Sequence, residues 1–377
     1  MVESSKASTG GYKDKPWIPR CWDGMGVWAW LKLLVRTRLR ISPLRIGMSV
    51  LLCPISVFNS TLGLLQTLVY GRKIARTQIT QQPIFIVGHW RSGTTLLHEY
   101  LVLDPRYTFA DTYACFVPHH HLLSRSLLAP LLSGLMPVQR PMDNMAVGWN
   151  RPQEDEFALC NLGVPSPYLN WALTNKPQCM EYVDMQGIPP KELKRWQNTL
   201  LWFLKTLSAR TPKQIVLKSP PHTGRIRVLL EMFPEARFVH IYRNPWAVFP
   251  STINLWKRMS SDQCLQKPRF KGLEEQVFET FNRMYAAFER DRPLIPAGQF
   301  AEVSYEQLVA DPVGQVRRIY DELGLGGFDE LRPAVEDFVA QHKDYKKNVF
   351  EMAPELKAEI GRRWSAYIEK YGYGEKR

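Results

Sequence analysis

Short apolar runs alternate with longer amphipathic stretches through the middle of the chain. The runs suited to buried strands are Ile84 to Gly88, Gln214 to Leu217, Arg237 to Tyr242 and Phe300 to Val303. Between them apolar residues recur at helical spacing, as over residues 189–209 and 276–290. Strands that alternate with helices of this length predict βαβ units. We therefore expect an α/β fold, a three-layer sandwich in which helices cover both faces of a central parallel sheet.

The first eighty residues follow a different pattern, so we divide the chain into residues 1–80 and a domain over residues 81–377. Residues 1–16 lack apolar periodicity and predict a disordered lead-in. Residues 28–40 mix large apolar side chains with arginines and predict a basic amphipathic helix, and residues 46–70 contain no charge. That length admits a transmembrane span, but Pro54 and the polar residues 59–61 favour packing on the domain or on a membrane surface. We expect a cytoplasmic protein with membrane contact through residues 28–70.

The net charge of +13 points to an anionic partner. No block of lysine and arginine is longer than two residues, so the excess is scattered over the chain. Zinc-finger spacing, an RNP sequence and a basic tail are all missing, and we expect no nucleic-acid partner. The six cysteines are far apart, as in a reduced protein. The tract His119-His120-His121 has no carboxylate at ligand spacing, so we predict a helix start or surface position there and no metal site.

A glycine-bounded loop joins the first strand to a helix that is apolar from Leu96 onward. Its sequence, Gly88-His89-Trp90-Arg91-Ser92-Gly93-Thr94-Thr95, has the spacing of a Walker A loop with Thr94 in place of the lysine. Backbone N–H groups and the helix dipole make such a loop an anion cradle, and the expected fold is P-loop-like. Because that lysine is missing, the interpretation of the chain as a nucleotide kinase is less favoured. That kinase and a non-catalytic nucleotide-binding, membrane-associated protein stay as alternatives.

Cations also follow two later strands. Lys218 comes directly after the strand at residues 214–217, and Arg243 follows the strand at 237–242. The carboxyl ends of parallel strands meet at one edge of a sheet, where ligands bind in open α/β folds. We therefore expect Arg91, Lys218 and Arg243 at one rim, as a site for a multiply charged anion.

Three separated motifs within residues 83–325 resemble, in the same order, those of sulfotransferases that use 3′-phosphoadenosine-5′-phosphosulfate (PAPS), above all the bacterial and tyrosylprotein branches. The resemblance implies that residues 91–95 bind the 5′-phosphosulfate, that Arg243 with Ser251 binds the 3′-phosphate, and that Tyr305 lies near the adenine. The donor-binding residues it implies are thus Arg91, Ser92, Gly93, Thr94, Thr95, Arg243, Ser251 and Tyr305. Lys218 would lie beside the bridging oxygen. The implied reaction is in-line transfer of a sulfuryl group from PAPS, without a metal, to a hydroxyl or amine.

The general base stays open. Cytosolic members of the family carry a catalytic histidine two residues after the lysine, and that position is Pro220 here. In the tyrosylprotein-like branch the base is a carboxylate about twenty residues after the loop arginine, which implies Asp111. The other options are Glu154 or Glu156, in an acidic triplet that would also suit a helix start, and then His222 or His119. The acceptor, expected to be a lipid, carbohydrate or other small molecule, and the oligomeric state are not predicted further.

Overall fold

A five-stranded sheet forms the centre of the computed structural model, which describes residues 20–135, 148–173, 176–342 and 352–374. The strands are β1 Ile84–Val87, β2 Tyr107–Phe109, β3 Gln214–Lys218, β4 Arg237–Tyr242 and β5 Phe300–Ser304. Every neighbouring pair is parallel, and the strand order is β2-β3-β1-β4-β5. The predicted α/β fold with a central parallel sheet is confirmed.

Sixteen α-helices are assigned within these described residues. In chain order they are α1 Val27–Arg36, α2 Pro43–Arg76, α3 Thr94–Leu101, α4 Thr112–Phe116, α5 His121–Leu131, α6 Asp155–Asn161, α7 Leu169–Ala172, α8 Pro190–Arg210, α9 Ile226–Met232, α10 Pro245–Gln263, α11 Leu273–Asp291, α12 Tyr305–Ala310, α13 Pro312–Glu322, α14 Phe328–Gln341, α15 Pro354–Arg363 and α16 Ser365–Lys370. Short 3₁₀ turns cover Ser133–Leu135, Met180–Tyr182, Pro220–Arg225 and Arg292–Leu294.

The side chains of the central strand β1 divide between two apolar cores. Ile84 and Ile86 belong to a cluster that includes residues of α13 and α14, whereas Phe85 and Val87 belong to one that includes residues of α8, α10 and α11. All four are fully buried, which is why β1 has no polar position. Burying a side chain of this size contributes about 1.5–3 kcal/mol. The alternation produces the three layers expected from the sequence.

The register of β1 brings the predicted cations to one edge of the sheet. β1 lies between β3 and β4, with Ile86 opposite Lys218 and Val87 opposite His240. The loop after β1 therefore has Lys218 on one side and Arg243, which follows β4, on the other. This is the shared rim that the strand-end pattern predicted.

The N-terminal helices pack on the same body. α1 ends at Arg36, four residues before the predicted end, because Arg38 and Leu39 take left-handed φ values of 51° and 55°. α2 is a single helix of 34 residues that continues through Pro54. It is the one helix of the described residues with the length and composition to cross a membrane. The predicted disordered lead-in, residues 1–16, lies outside the described residues.

Some elements differ from their prediction. β2 and α14 were not predicted. The apolar spacing of residues 354–371 predicts one amphipathic helix, but the chain forms two, α15 and α16, divided at Trp364. The sequence after His222 predicts a helix to Phe233, but Pro220–Arg225 form a 3₁₀ turn and α9 begins only at Ile226. His121 begins α5, as expected of a helix start, but the surface alternative is wrong for His120 and His121, which are fully buried.

Candidate active site

The loop after β1 is shaped by two glycines that no other residue replaces without strain. Gly88 has φ 152° and Gly93 φ 104°, and Gly93 is the N-cap of α3. A Cβ at Gly93 would lie 2.4 Å from Cδ2 of Tyr305, and one at Gly88 would lie 2.4 Å from the Ile241 carbonyl oxygen. The backbone thus approaches its neighbours closely, and the first-turn N–H groups of α3, beginning at Thr94, face the loop. This is the cradle that an anion requires.

The predicted donor-binding residues form one connected cluster at this rim. Arg91 Nε donates to Ser251 Oγ at 2.8 Å, and Arg243 Nη1 donates to the Arg91 carbonyl oxygen at 2.9 Å. The Arg243 guanidinium also stacks over the Tyr305 ring, 4.1 Å from its centroid. Burial raises the pKa of Tyr305, and the neighbouring Arg243 opposes that rise. Residues that are more than 150 positions apart are therefore in direct contact.

Beside the cluster, Lys218 forms an ion pair with Glu154. Lys218 Nζ lies 2.6 Å from Glu154 Oε1, and the side chains are 1% and 13% exposed. The other carboxylate oxygen of Glu154 accepts a hydrogen bond from the Tyr168 hydroxyl, and Trp90 Nε1 donates to that hydroxyl oxygen at 3.3 Å. Burial, and then the negative charge of Glu154, raise the pKa of Tyr168 well above its ordinary value. Tyr168 is therefore a lasting donor that holds the carboxylate in place.

Asp111, the base implied by the resemblance, has different partners. Its Oδ2 lies 2.6 Å from Arg125 and 2.9 Å from Arg210, while its Oδ1 accepts from the Ala114 backbone N–H at 2.9 Å as the N-cap of α4. To accept a proton it would have to leave two guanidinium groups. Glu154 is also ion-paired, but with the single cation Lys218, beside the loop after β1. The geometry therefore favours Glu154 over Asp111, and the role of base stays a prediction for both residues.

The two carboxylates after Glu154 are fully buried in pairs of their own. Glu156 forms two hydrogen bonds with the guanidinium of Arg225, at 2.6 and 3.0 Å. Asp155 accepts from His222 Nε2 and Ser219 Oγ, each at 2.8 Å. Although burial opposes ionisation of Asp155, these two contacts hold its pKa below the ordinary value. Both carboxylates thus fasten α6 to the segment after β3, and this arrangement does not favour Glu156 or His222 as the base.

The chain is similar in sequence to known sulfotransferases. Residues 83–330 match the model of the sulfotransferase family. The chain belongs to that family. Over 360 residues it is 44% identical to the omega-hydroxy-beta-dihydromenaquinone-9 sulfotransferase Stf3 of Mycobacterium bovis, which covers 95% of this chain and 92% of the relative. The chain is therefore an enzyme that transfers sulfuryl groups, and the kinase and non-catalytic alternatives are not favoured.

Two solved structures share the fold of this sulfotransferase. The sulfotransferase STF9 from Mycobacterium avium has a TM-score of 0.60 at 18% identity, over 92% of this chain and 96% of that one. STF1 from Mycobacterium tuberculosis H37Rv has a TM-score of 0.58 at 18% identity, over 90% of each chain. Identity this low supports the fold alone.

The remaining candidate base of the sulfotransferase, His119, links two segments outside the Lys218 pair. Its Nε2 lies 3.2 Å from the Gly26 backbone nitrogen and 3.2 Å from the Asn161 carbonyl oxygen. Burial lowers the pKa of this ring. Among the described residues no group of three His, Cys, Asp or Glu side chains is placed to hold a metal ion.

Sequence reasoning missed Tyr168 as a partner of the site, although its aromatic character was plain. It also missed that the acidic triplet pairs with side chains at the end of β3 and in the 3₁₀ turn that follows it. Successive carboxylates at 154, 155 and 156 meet Lys218, His222 and Arg225, which are spaced by four and three residues. Three successive acids in one segment, and three basic side chains at this spacing in a later one, were the sequence signal for these pairs.

Proposed function

We propose that this sulfotransferase uses PAPS as its donor and transfers the sulfuryl group to a hydroxyl of a lipid-like quinone. The observation that carries the proposal is the Lys218–Glu154 ion pair, which adjoins the anion cradle at the sheet rim. It combines a cation and a proton acceptor at the place where a negatively charged group would be bound.

The donor residues of this proposal have distinct tasks. The first turn of α3 and Arg91 offer N–H donors and positive charge to a phosphosulfate. Arg243 presents a planar guanidinium suited to a phosphate, and Ser251 adds a hydroxyl. Tyr305, which is 8% exposed, offers the edge or face of its ring to the adenine of the donor. Gly93 suits a bound phosphosulfate because it has no side chain to fill the anion cradle.

The donor supplies an activated sulfuryl group, and the protein supplies charge and proton acceptance. Glu154 accepts the proton of the acceptor hydroxyl as its oxygen becomes nucleophilic, which commonly contributes about 10²–10⁴-fold. As the acceptor oxygen bonds to sulfur, the bond between sulfur and the 5′-phosphate oxygen breaks and adenosine-3′,5′-bisphosphate leaves. Lys218 would stabilise the negative charge that develops on that leaving oxygen, and one such donor commonly contributes about 10²–10³-fold. Tyr168 keeps the carboxylate oriented through its hydrogen bond. The proton released from the acceptor is thus held on Glu154, next to the Lys218 ammonium.

The proposed acceptor rests on the relative. Its name specifies an omega-hydroxy-beta-dihydromenaquinone-9, a hydroxylated quinone, and the identity of 44% extends over 95% of this chain. A lipid acceptor also agrees with the apolar helix α2. We propose the same chemical class, a hydroxylated isoprenoid quinone, for this enzyme.

Two measurements on the purified full-length chain test the proposal. Calorimetric titration compares adenosine-3′,5′-bisphosphate with AMP for the wild type and for Arg243→Ala. We expect binding that depends on the 3′-phosphate and that Arg243→Ala weakens by at least tenfold, because the guanidinium proposed to bind that phosphate is removed. Equal affinity for AMP and the bisphosphate would refute PAPS as the donor.

The second measurement compares transfer rates to a hydroxylated menaquinone for Glu154→Gln and its matched control Asp111→Asn. We expect Glu154→Gln to lower kcat by about 10²–10⁴-fold while bisphosphate affinity is kept. Asp111→Asn should lower stability and leave kcat of the folded enzyme within a few-fold of wild type. A folded Asp111→Asn enzyme without turnover, beside an active Glu154→Gln enzyme, would transfer the role of base to Asp111.

A further inference from the structure

Helix α2 turns polar side chains toward the protein. Of its six buried residues, four are polar: Ser49, Ser56, Asn59 and Gln66. Asn59 Nδ2 donates to two backbone carbonyl oxygens before α1, at 2.7 and 3.1 Å, and its Oδ1 lies 3.1 Å from His120 Nε2. Gln66 Oε1 accepts from two backbone N–H groups at the start of α5, at 2.8 and 3.3 Å. The inner face of α2 is therefore fastened by hydrogen bonds.

The outer face of α2 is apolar, which is the reverse of an ordinary surface helix. Val50, Val57, Leu64 and Leu68 recur at spacings of seven and four, and Leu64 and Leu68 are 68% and 80% exposed. On α1, Trp28 is 78% exposed. An apolar stripe of this length on a water-facing helix marks a surface that meets an apolar partner.

The positive charge around the stripe indicates a partner with negative charge. Residues 24–98 contain no Asp or Glu, and eight lysines and arginines lie between Lys32 and Arg76. They flank both ends of α2, with Arg40 and Arg45 near one end and Arg72 and Lys73 near the other. A second copy of the chain would present the same cations and repel. An anionic bilayer offers both an apolar layer and negative headgroups.

A cleft beside this face extends the basic surface. It has a volume of about 1110 Å³ and is lined by Trp28 and Leu64 on one side and by Lys191, Lys194 and Arg195 of α8 on another. The one acid in its wall, Glu192, lies 3.6 Å from Arg195. The cations of α8 thus border the apolar side chains, as lipid headgroups border acyl chains.

We propose that α1 and α2 form a docking face, defined by the outward side chains of residues 27–76, that lies flat on an anionic bilayer. The outward stripe of α2 enters the interface, and the inward polar residues keep the helix on the enzyme. A spanning α2 would have to release the hydrogen bonds of Asn59 and Gln66, so the flat arrangement is the one that retains the described contacts. The inference does not depend on which acceptor the enzyme uses.

Vesicle flotation with the full-length chain is the first test. Vesicles of phosphatidylcholine alone are compared with vesicles that contain half phosphatidylglycerol, at low and physiological salt. We expect flotation with the anionic vesicles and a marked loss at higher salt, because the attraction of the cations is screened. No flotation with anionic vesicles would overturn the proposal.

The triple variant Val57→Gln, Leu64→Gln, Leu68→Gln tests the stripe itself. We expect its affinity for anionic vesicles to fall by roughly 10²-fold, since each apolar side chain that enters the interface contributes up to about tenfold. The matched control, Leu294→Gln with Val309→Gln, removes apolar side chains that are 44% and 36% exposed elsewhere. Equal binding by the triple variant and the control would refute the docking face.

Cys53 provides a reporter of depth. Five of the six cysteines are buried and Cys53 of α2 is exposed, so an environment-sensitive thiol dye labels it in the unmodified protein. We expect a blue shift on anionic vesicles and quenching by labels at headgroup depth. Quenching at the bilayer centre would show a span instead, and a blue shift from concentration-dependent dimers without vesicles would show that a second copy covers the face.

Discussion

Replacing Gly93 with alanine should weaken donor binding as well as lower the stability of the protein. The new Cβ would lie 2.4 Å from Tyr305 Cδ2 and 3.1 Å from Tyr305 Cε2. An ordinary contact is 3.4 Å or more, so the ring must move by about 1 Å. Tyr305 is the ring over which the Arg243 guanidinium stacks, so that movement displaces the proposed phosphate ligand.

The magnitude has two parts. A left-handed φ of 104° costs an alanine about 1–2 kcal/mol. Displacing the ring adds the loss of a cation–π contact, about 0.5–2 kcal/mol, and some packing. We therefore expect Gly93→Ala to lower the free energy of unfolding by about 2–4 kcal/mol. A guanidinium moved by about 1 Å should lower bisphosphate affinity by roughly 10–100-fold, equal to about 1.4–2.8 kcal/mol.

Urea unfolding and calorimetric titration with adenosine-3′,5′-bisphosphate measure the two effects. Gly187→Ala is the matched control, because Gly187 also has a left-handed φ, 74°, but its Cβ would meet nothing within 4 Å. It should lose only the backbone part, about 1–2 kcal/mol of stability, and keep its affinity. Wild-type affinity in a folded Gly93→Ala protein would refute the link from Gly93 through Tyr305 to Arg243.

Two further predictions concern stability. Arg225→Met leaves the buried carboxylate of Glu156 without its ion-pair partner and should lower the free energy of unfolding by about 3–5 kcal/mol. Arg363→Met, which breaks an exposed pair with Glu275, should lower it much less. Equal losses in urea unfolding would contradict this. Burial lowers the pKa of His89 to about 4, and burial with the charge of Lys218 lowers that of His98 to about 3. The unfolded chain therefore binds protons below pH 6.5 that the folded chain does not, and stability should fall from pH 6.5 toward pH 4 by about 1.4 kcal/mol per pH unit for each histidine. Burial raises the pKa of Asp23 to about 6, so its proton uptake in the folded chain offsets the effect of one of these histidines. His89→Gln should reduce the dependence of stability on pH. A free energy of unfolding that is unchanged between pH 7 and pH 5 would contradict the prediction.

The rim of the sheet could be predicted because three of its strands, β1, β3 and β4, are short apolar runs that end in a glycine loop or a cation. Parallel strands bring such ends together whatever the sequence distance between them, so Arg91, Lys218 and Arg243 needed no knowledge of side-chain contacts. The strand β2 escaped prediction since it has only three residues, Tyr107–Phe109, and pairs on one side. Three residues are too few to show the alternation of buried and exposed positions by which a strand is recognised.

The choice of base could not be made from the sequence. Asp111 and Glu154 are both acids close to a helix start, and their difference lies in their partners. Two arginines from α5 and α8 meet Asp111, whereas a lysine and a tyrosine meet Glu154. These partners come from distant positions that only the folded chain brings together.

The hydrogen bonds on the inner face of α2 have a consequence for producing the protein. A shortened chain that begins at residue 81 would remove the apolar helices, which is a common route to soluble material. It would also remove Trp22 and Trp30 from the core and take Asn59 and Gln66 from their partners at the start of α5. We expect such a fragment to aggregate, and detergent with the intact chain is the better choice for crystallisation and assays.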